Sequence, residues 1–182
     1  MIKKQYHFIT DRNFTADLLQ TILPSEITEN SIILSAGSYT AAIDVVSTLL
    51  SKAVPASLIC EIKNSETDLL EKRKNEIEKI YALYGKKTPF YYAIYTPSIE
   101  ILFCKTLELA QKISQKEISI IDFEFSRYQP TAFLHKLSEF MLSQTQIINN
   151  IDLEAKKILL QDIQLQRIMQ HYEKHTKKID EI

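Results

Sequence analysis

The sequence predicts an α/β protein in which a mostly parallel sheet of four to five strands is flanked by helices and followed by a helical extension. Short apolar runs alternate with longer stretches of helical periodicity up to about residue 114. The apolar runs are nearly continuous, which is typical of parallel strands that are buried on both faces. The chain has 182 residues, of which 45% are hydrophobic and 25% are charged. That composition suits one globular domain that folds without disulfides.

Four strands are predicted in the first half of the chain. Each is a short apolar or aromatic run that ends at a turn signal or a polar segment. Right-handed crossovers should connect them, so that their carboxyl ends meet at one edge of the sheet, where ligands of such folds bind. The predicted strands are KKQYHFIT (3–10), SIILSA (31–36), ASLICEI (56–62) and TPFYYAIYT (88–96).

A helix is predicted after each strand, because apolar residues recur there at intervals of three and four. Pro24 stops the first helix, Ser38 is a suitable N-cap for the second, Gly85 closes the third, and Pro97 suits the first turn of the fourth. The four stretches are 11–23, 38–53, 65–85 and 97–114.

The second half of the chain has a different pattern. We predict an α/β domain at 1–128 and a helical extension at 129–182 that packs on it. Residues 118–129, ISIIDFEFSRYQ, fit either a further strand or an extended segment across the sheet. In the last predicted helix an apolar stripe either packs on the domain or forms an interface with another chain. The stripe consists of Ile151, Ala155, Ile158, Leu165, Met169 and Tyr172.

Charge and composition exclude several classes of protein. The net charge of −1 gives no overall attraction to nucleic acid, which could bind only through a local basic patch. No segment has the roughly 18 apolar residues of a membrane span, and the amino terminus does not resemble a signal peptide. Cys60 and Cys104 lie in apolar contexts without metal spacing, as reduced thiols do. We therefore expect a cytoplasmic protein that does not bind membranes.

Common catalytic motifs are absent from the sequence. There is no GxxxxGK[ST], GxGxxG, HExxH or GxSxG pattern, so the usual phosphate-binding loops, metalloproteases and esterases are disfavoured. His171 and His175 have the i, i+4 spacing of metal ligands, but no third ligand is evident. Cationic side chains at 72–74, 79 and 86–87 alternate with glutamates, which favours a solvated helix face.

Three acids are predicted at or just past the carboxyl ends of strands: Asp11, Glu61 and Glu66. Carboxylate oxygens there could hold Mg²⁺, which prefers an octahedral shell of oxygens and can activate water against a phosphodiester. The alternative is structural, since Asp11 could cap the first helix and Glu66 could interact with the dipole of the third.

The turn at Gly37 and Ser38 is a second candidate site. It lies between a strand and a helix N-terminus, where backbone N–H groups can bind phosphate. A glycine followed by a capping serine is also a common structural turn. A small-molecule or nucleotide-binding enzyme would use this turn if Tyr91, Tyr92 and Tyr95 lined a pocket over it.

Together, these segments resemble the Toprim-like domains, which share a Rossmann-like topoisomerase–primase fold. The closest resemblance is to small bacterial proteins related to the nuclease half of the OLD family, found with ATPase partners and in phage defence. The segments that carry it are TDRNFTADLLQTILP (10–24), SAGSYTAAIDVVSTLL (35–50), LICEIKNSE (58–66), YTPSIEILFC (95–104) and RYQPTAFLHKL (127–137).

The resemblance implies a site in which acids hold magnesium for strand cleavage. Asp11 stands at the family's first acid and Glu61 at the first acid of its DxD strand, and Glu100 is kept in the Pro-Glu segment. Three positions depart from the pattern. Arg12 replaces the usual glycine, Lys63 replaces the second acid of DxD, and Ser98 replaces a glutamate.

These departures predict an altered or remnant site that comprises Asp11, Glu61, Lys63 and Glu66, with Arg12 and Glu100 beside it. An ammonium at Lys63 would repel Mg²⁺ and could pair with Glu61 instead. We therefore expect a catalytically degenerate Toprim-like protein that acts with a protein partner, such as an ATPase or another defence-system subunit, or as a homodimer. The alternative is a Mg²⁺-dependent nuclease with Asp11, Glu61 and Glu66 as ligands and Lys63 or Arg12 on the phosphate.

Overall fold

The computed structural model describes residues 5–62, 67–128 and 143–176, and over these ranges the chain is an α/β fold with a four-stranded, all-parallel sheet. This confirms the predicted fold class. The strands are β1 (Tyr6–Thr10), β2 (Ser31–Ser35), β3 (Ala56–Glu61) and β4 (Phe90–Tyr95).

The strand order is β2-β1-β3-β4, so β1 and β3 lie side by side at the centre of the sheet. In their register, Thr10 is opposite Ile59. The chain moves outward from β1 to β2, then crosses back to β3 and continues to β4 on the other side. The order therefore reverses between β1 and β3, and a crevice opens at their carboxyl ends, where ligands of doubly wound sheets bind.

Helices cover both faces of the sheet. Between the strands these are α1 (Asn13–Ile22), α2 (Ser25–Glu29), α3 (Tyr39–Ser51) and α4 (Thr67–Ile80), the last continuing into a π-helical turn (Tyr81–Gly85). A 3₁₀ helix (Ile99–Cys104) and α5 (Leu107–Ser114) follow β4, where one helix-like stretch is predicted. Further helices of the described ranges are α6 (Ile120–Tyr128), α7 (Gln144–Asn149), α8 (Leu153–Leu159) and α9 (Ile163–Thr176).

Helix α6 corrects the prediction of a strand or an extended segment here, because Ile120–Tyr128 are helical. Ser119 starts the helix, since its hydroxyl accepts a hydrogen bond from Asp122 N at 3.0 Å. Only part of the apolar pattern is buried, because Phe123 lies in a small core while Ile121 is 78% exposed.

Two apolar clusters lie on opposite faces of the sheet. The larger contains Phe8, Leu18 and Phe103, and the smaller contains Ile9 and Val46. Neighbouring residues of β1 thus point to opposite faces. The carboxyl-terminal helices close the larger cluster, and all six side chains of the predicted stripe belong to it or pack against it. No helix within the described ranges is long and apolar enough to cross a membrane.

Candidate functional site at the carboxyl ends of β1 and β3

A cleft of about 320 Å³ lies at the crevice between the two central strands. The cleft brings together Asp11, Glu61 and the Gly37–Ser38 turn, each of which the sequence places at or just past the carboxyl end of a strand. The cleft is lined by Asp11, Arg12, Gly37, Ser38, Tyr39, Glu61, Leu69 and Arg73.

Arg12 connects the two glutamates of the site. It precedes α1 in an extended conformation and makes no side-chain cap, so its side chain is free to reach across the crevice. One guanidinium nitrogen lies 2.5 Å from Glu61 Oε2, and the two nitrogens lie 3.2 and 3.0 Å from the oxygens of Glu100. Burial alone would lower the pKa of Arg12, but these bonds outweigh burial and raise it. Arg12 is therefore cationic at any physiological pH.

Glu61 is 3% exposed, and both of its carboxylate oxygens are hydrogen-bonded. Oε2 accepts from Arg12, and Oε1 accepts from Thr15 Oγ1 at 2.8 Å. Burial and the neighbouring Glu100 carboxylate raise the pKa of Glu61, while the bonds from Arg12 and Thr15 offset part of the rise. The buried charge is thus compensated from within the protein.

Asp11 does not cap α1, and the structural alternative for this residue is wrong. Its Oδ2 accepts a hydrogen bond from Glu61 N at 3.0 Å, which joins the ends of the two central strands. Its Oδ1 is buried and has no hydrogen-bond partner among the described residues. Burial raises the pKa of Asp11, against the lowering effect of its backbone hydrogen bonds and of Arg73 and Arg12.

The Gly37–Ser38 turn serves the fold. Gly37 has a φ of 79°, which only glycine adopts without strain. Its backbone N–H donates a hydrogen bond to Ser35 Oγ at 3.3 Å. Ser38 caps α3, as predicted, by accepting from Ala41 N at 3.2 Å. Its hydroxyl therefore acts as the acceptor of the helix cap.

Arg73 is a site residue that sequence reasoning missed, because its position in the mixed-charge α4 favoured a solvated face. Its guanidinium donates to the carbonyl oxygen of Glu61 and lies over the ring of Tyr39, 4.2 Å from the centroid. The one feature of the sequence that could have pointed to Arg73 is its residue type. An arginine, unlike a lysine, can donate hydrogen bonds and stack on an aromatic ring at the same time.

The described residues do not fit a magnesium centre. Magnesium needs several free oxygen ligands, whereas Arg12 occupies the sides of Glu61 and Glu100 that face each other. Within the described ranges no three His, Cys, Asp or Glu side chains are grouped to hold a metal. Lys63 and Glu66, the other two predicted site residues, lie outside the described residues.

The predicted tyrosine cluster does not lie over Gly37. Tyr95 is 2% exposed and donates to Asp162 Oδ1 at 2.9 Å, so it is a core residue. Tyr91 and Tyr92 are partly exposed and line a different groove, at the edge of the sheet. A nucleotide pocket built from this turn and these tyrosines therefore does not form.

Comparison of the chain with protein-family models, with curated proteins and with solved structures gave no match. The resemblance to the Toprim-like domains consequently rests on the motifs of the sequence alone.

Proposed function

We propose that this chain is a Toprim-like protein with a degenerate metal site, which acts as a non-catalytic subunit of a bacterial assembly for DNA processing or phage defence. The observation that carries the proposal is the bridge from Arg12 to Glu61 and Glu100. Where the family pattern has a glycine, this chain supplies an internal cation. The partner would be an ATPase, another subunit of such a system, or a second copy of the chain.

Electrostatics support the loss of metal binding. Two unit charges 4 Å apart interact with about 4 kcal/mol at an effective dielectric constant of 20. A divalent ion beside the guanidinium would therefore meet a repulsion of roughly twice that size. To bind both glutamates, the ion would have to displace the Arg12 guanidinium. The charge of Arg12 would then lack a partner, although the Arg12 side chain is only 26% exposed.

A Mg²⁺-dependent nuclease is the second candidate function, and one observation favours it. Asp11 Oδ1 has no partner among the described residues, and it is a carboxylate oxygen at the place where the resemblance puts the first metal ligand. In that case Glu61 and Glu66 would complete the ligand set after Arg12 turned toward the phosphate of the substrate.

Calorimetric titration with Mg²⁺ and Mn²⁺ separates the two candidates. We expect the wild-type protein to bind neither ion at millimolar concentration and to leave single- and double-stranded DNA uncleaved. Asp11→Asn and Glu61→Gln should behave like the wild type, and Asp17→Asn, an exposed acid on α1, is the matched control.

Binding that is present in the wild type and Asp17→Asn but lost in Asp11→Asn and Glu61→Gln would overturn the proposal in favour of the nuclease. Binding that survives in all three variants would place the ion outside the cleft and leave the cleft degenerate.

A further inference from the structure

A second and larger groove, of about 800 Å³, runs along the β4 edge of the sheet. Among the described residues it shares no lining residue with the cleft at Asp11, Arg12 and Glu61, which we call the acidic cleft. Its floor is β4, which in the described part of the chain pairs only with β3. One wall is formed by α4 with the segment 81–89, and the other by α9. We refer to it as the edge groove.

The lining of the edge groove is strongly basic. The described residues of the lining include no aspartate or glutamate, although the whole chain has a net charge of −1. Lys74 pairs with Glu71 at 3.3 Å, and within the described ranges no ion pair engages the other four cations of the lining. Those four are Lys86, Lys87, Arg167 and Lys174, all of them exposed.

Aromatic rings lie on the floor and on both walls of the groove, between these cations. Tyr81 is 50% exposed, and the ring of Phe90 lies 6.5 Å from it and 6.4 Å from Tyr92. On the α9 side the ring centroid of Tyr91 lies 5.7 Å from that of His171. The rings are held by neighbouring rings, so they present faces that are ordered before any ligand binds.

We propose that the edge groove binds single-stranded nucleic acid, with phosphates against the lysines and Arg167 and with bases stacked on Tyr81, Tyr91 and Tyr92. A basic groove with interleaved aromatic rings is the combination that binds single strands without sequence preference. This is the local patch that a chain of near-zero net charge needs in order to bind a polyanion. The site uses no metal and none of the residues of the acidic cleft.

A peptide strand added to β4 fits the edge groove less well. Such a strand would need the outward backbone groups along the whole edge. The carbonyl oxygen of Ile94 already accepts from Gln164 Nε2 at 3.1 Å. Asp162, just before α9, accepts from Tyr95 and lies 3.4 Å from Lys105, which fixes the start of the helix beside the strand. The edge is thus covered at its carboxyl end, whereas the rings and cations remain accessible.

Fluorescence anisotropy with the full chain in EDTA tests the proposal, using labelled dT20 and U20 oligonucleotides at several salt concentrations. We expect dissociation constants between about 1 and 100 µM that weaken steeply as salt rises. Lys86→Gln/Lys87→Gln and Arg167→Gln/Lys174→Gln should each weaken binding about tenfold and flatten the salt dependence. Lys156→Gln/Lys157→Gln on α8 carries the same charge change outside the groove and should bind like the wild type.

The aromatic contribution is tested with Tyr81→Leu and Tyr91→Leu, which keep apolar bulk but remove the flat face. Each should weaken binding about fivefold or more at unchanged thermal stability. Equal affinity for dT20 and U20 would support recognition through the backbone and through stacking. A preference for one of them would support the same site and would identify DNA or RNA as its ligand.

Three results would overturn the proposal: no binding at 100 µM protein in low salt, binding that none of the groove variants weakens, or polyglutamate competing as well as the oligonucleotides with no effect of the tyrosine variants. Because EDTA is present throughout, these results are independent of the metal titration of the acidic cleft.

Discussion

Among single residues, Arg12 has the greatest influence on the acidic cleft, since it decides how two nearby glutamates coexist. Burial raises the pKa of Glu61, and charge repulsion from Glu100 adds to the rise. Without a cation between them, one of the two carboxylates would have to bind a proton or another cation. Arg12 meets this need from within the chain. In the proposed degenerate site, the same side chain would stabilise the fold and occupy the carboxylates that a metal ion would need.

Replacing Arg12 with methionine should therefore destabilise the protein. Arg12→Met keeps most of the side-chain volume but leaves the buried Glu61 carboxylate without its counterion, and breaking such a pair from one side costs about 3 kcal/mol. The pKa of Glu61 should rise further in the variant. The native state would then hold a proton that the unfolded state has lost above about pH 4.5, so that lowering the pH restores stability.

Urea unfolding at pH 7 and pH 5 measures this effect, and the loss should be clearly smaller at pH 5. Arg167→Met removes an exposed arginine and should change the free energy of unfolding by no more than about 0.5 kcal/mol. The double variant Arg12→Met/Glu61→Gln should recover much of the lost stability. A loss in Arg12→Met no larger than that of Arg167→Met would show that the bridge does not stabilise the fold.

At the scale of the elements, the sequence predicts the strands and helices that burial determines. It misses the features that depend on contacts between residues far apart in the chain. β3 is buried at every position, and its continuous apolar run identified it directly. In α6 the pattern misled, because Ile120 and Ile121 are apolar but exposed. The sequence places Asp11 and Glu61 at strand ends but does not show whether they face each other. The bond from Arg12 to Glu100 is equally hidden, because it joins residues 88 apart and depends on the 3₁₀ helix after β4.

The turn before α3 allows a test of one such local requirement. Gly37 has a φ of 79°, and a Cβ added there would meet no atom within 4 Å, so only backbone strain opposes a side chain. Gly37→Ala should lower the free energy of unfolding by about 1 kcal/mol, as expected for a non-glycine residue in the left-handed region. Gly37→Asn should cost less, since asparagine tolerates this region. Equal losses in the two variants, measured by urea unfolding, would contradict this explanation.

At the scale of the whole molecule, α9 links the end of the chain to the centre of the sheet. Tyr172 stacks on Phe8 with a centroid distance of 5.9 Å, and Tyr6 Oη lies 2.6 Å from His171 Nδ1 and 2.7 Å from Ser57 Oγ. Burial raises the pKa of Tyr6, so its hydroxyl keeps its proton. The chain of bonds is satisfied when Ser57 donates to Tyr6 and Tyr6 donates to a neutral His171.

This dependence on a neutral imidazole makes the stability of the whole fold sensitive to acid. Burial, His175 and Lys174 lower the pKa of His171 from 6.5 to about 4. Between these values the unfolded state binds a proton that the native state does not, so stability falls as the pH drops from 6.5 toward 4. We expect a contribution of about 2 kcal/mol over this window, reduced from the full linkage value because the ring is partly exposed.

His171→Gln, which stays neutral and can accept a hydrogen bond from Tyr6, should lack this contribution. Asp11 and Glu61 titrate in both the wild type and the variant. The difference between the urea-unfolding free energies of the two proteins at pH 7, 6, 5 and 4.5 therefore isolates His171. Parallel pH profiles for the two proteins would refute the assignment.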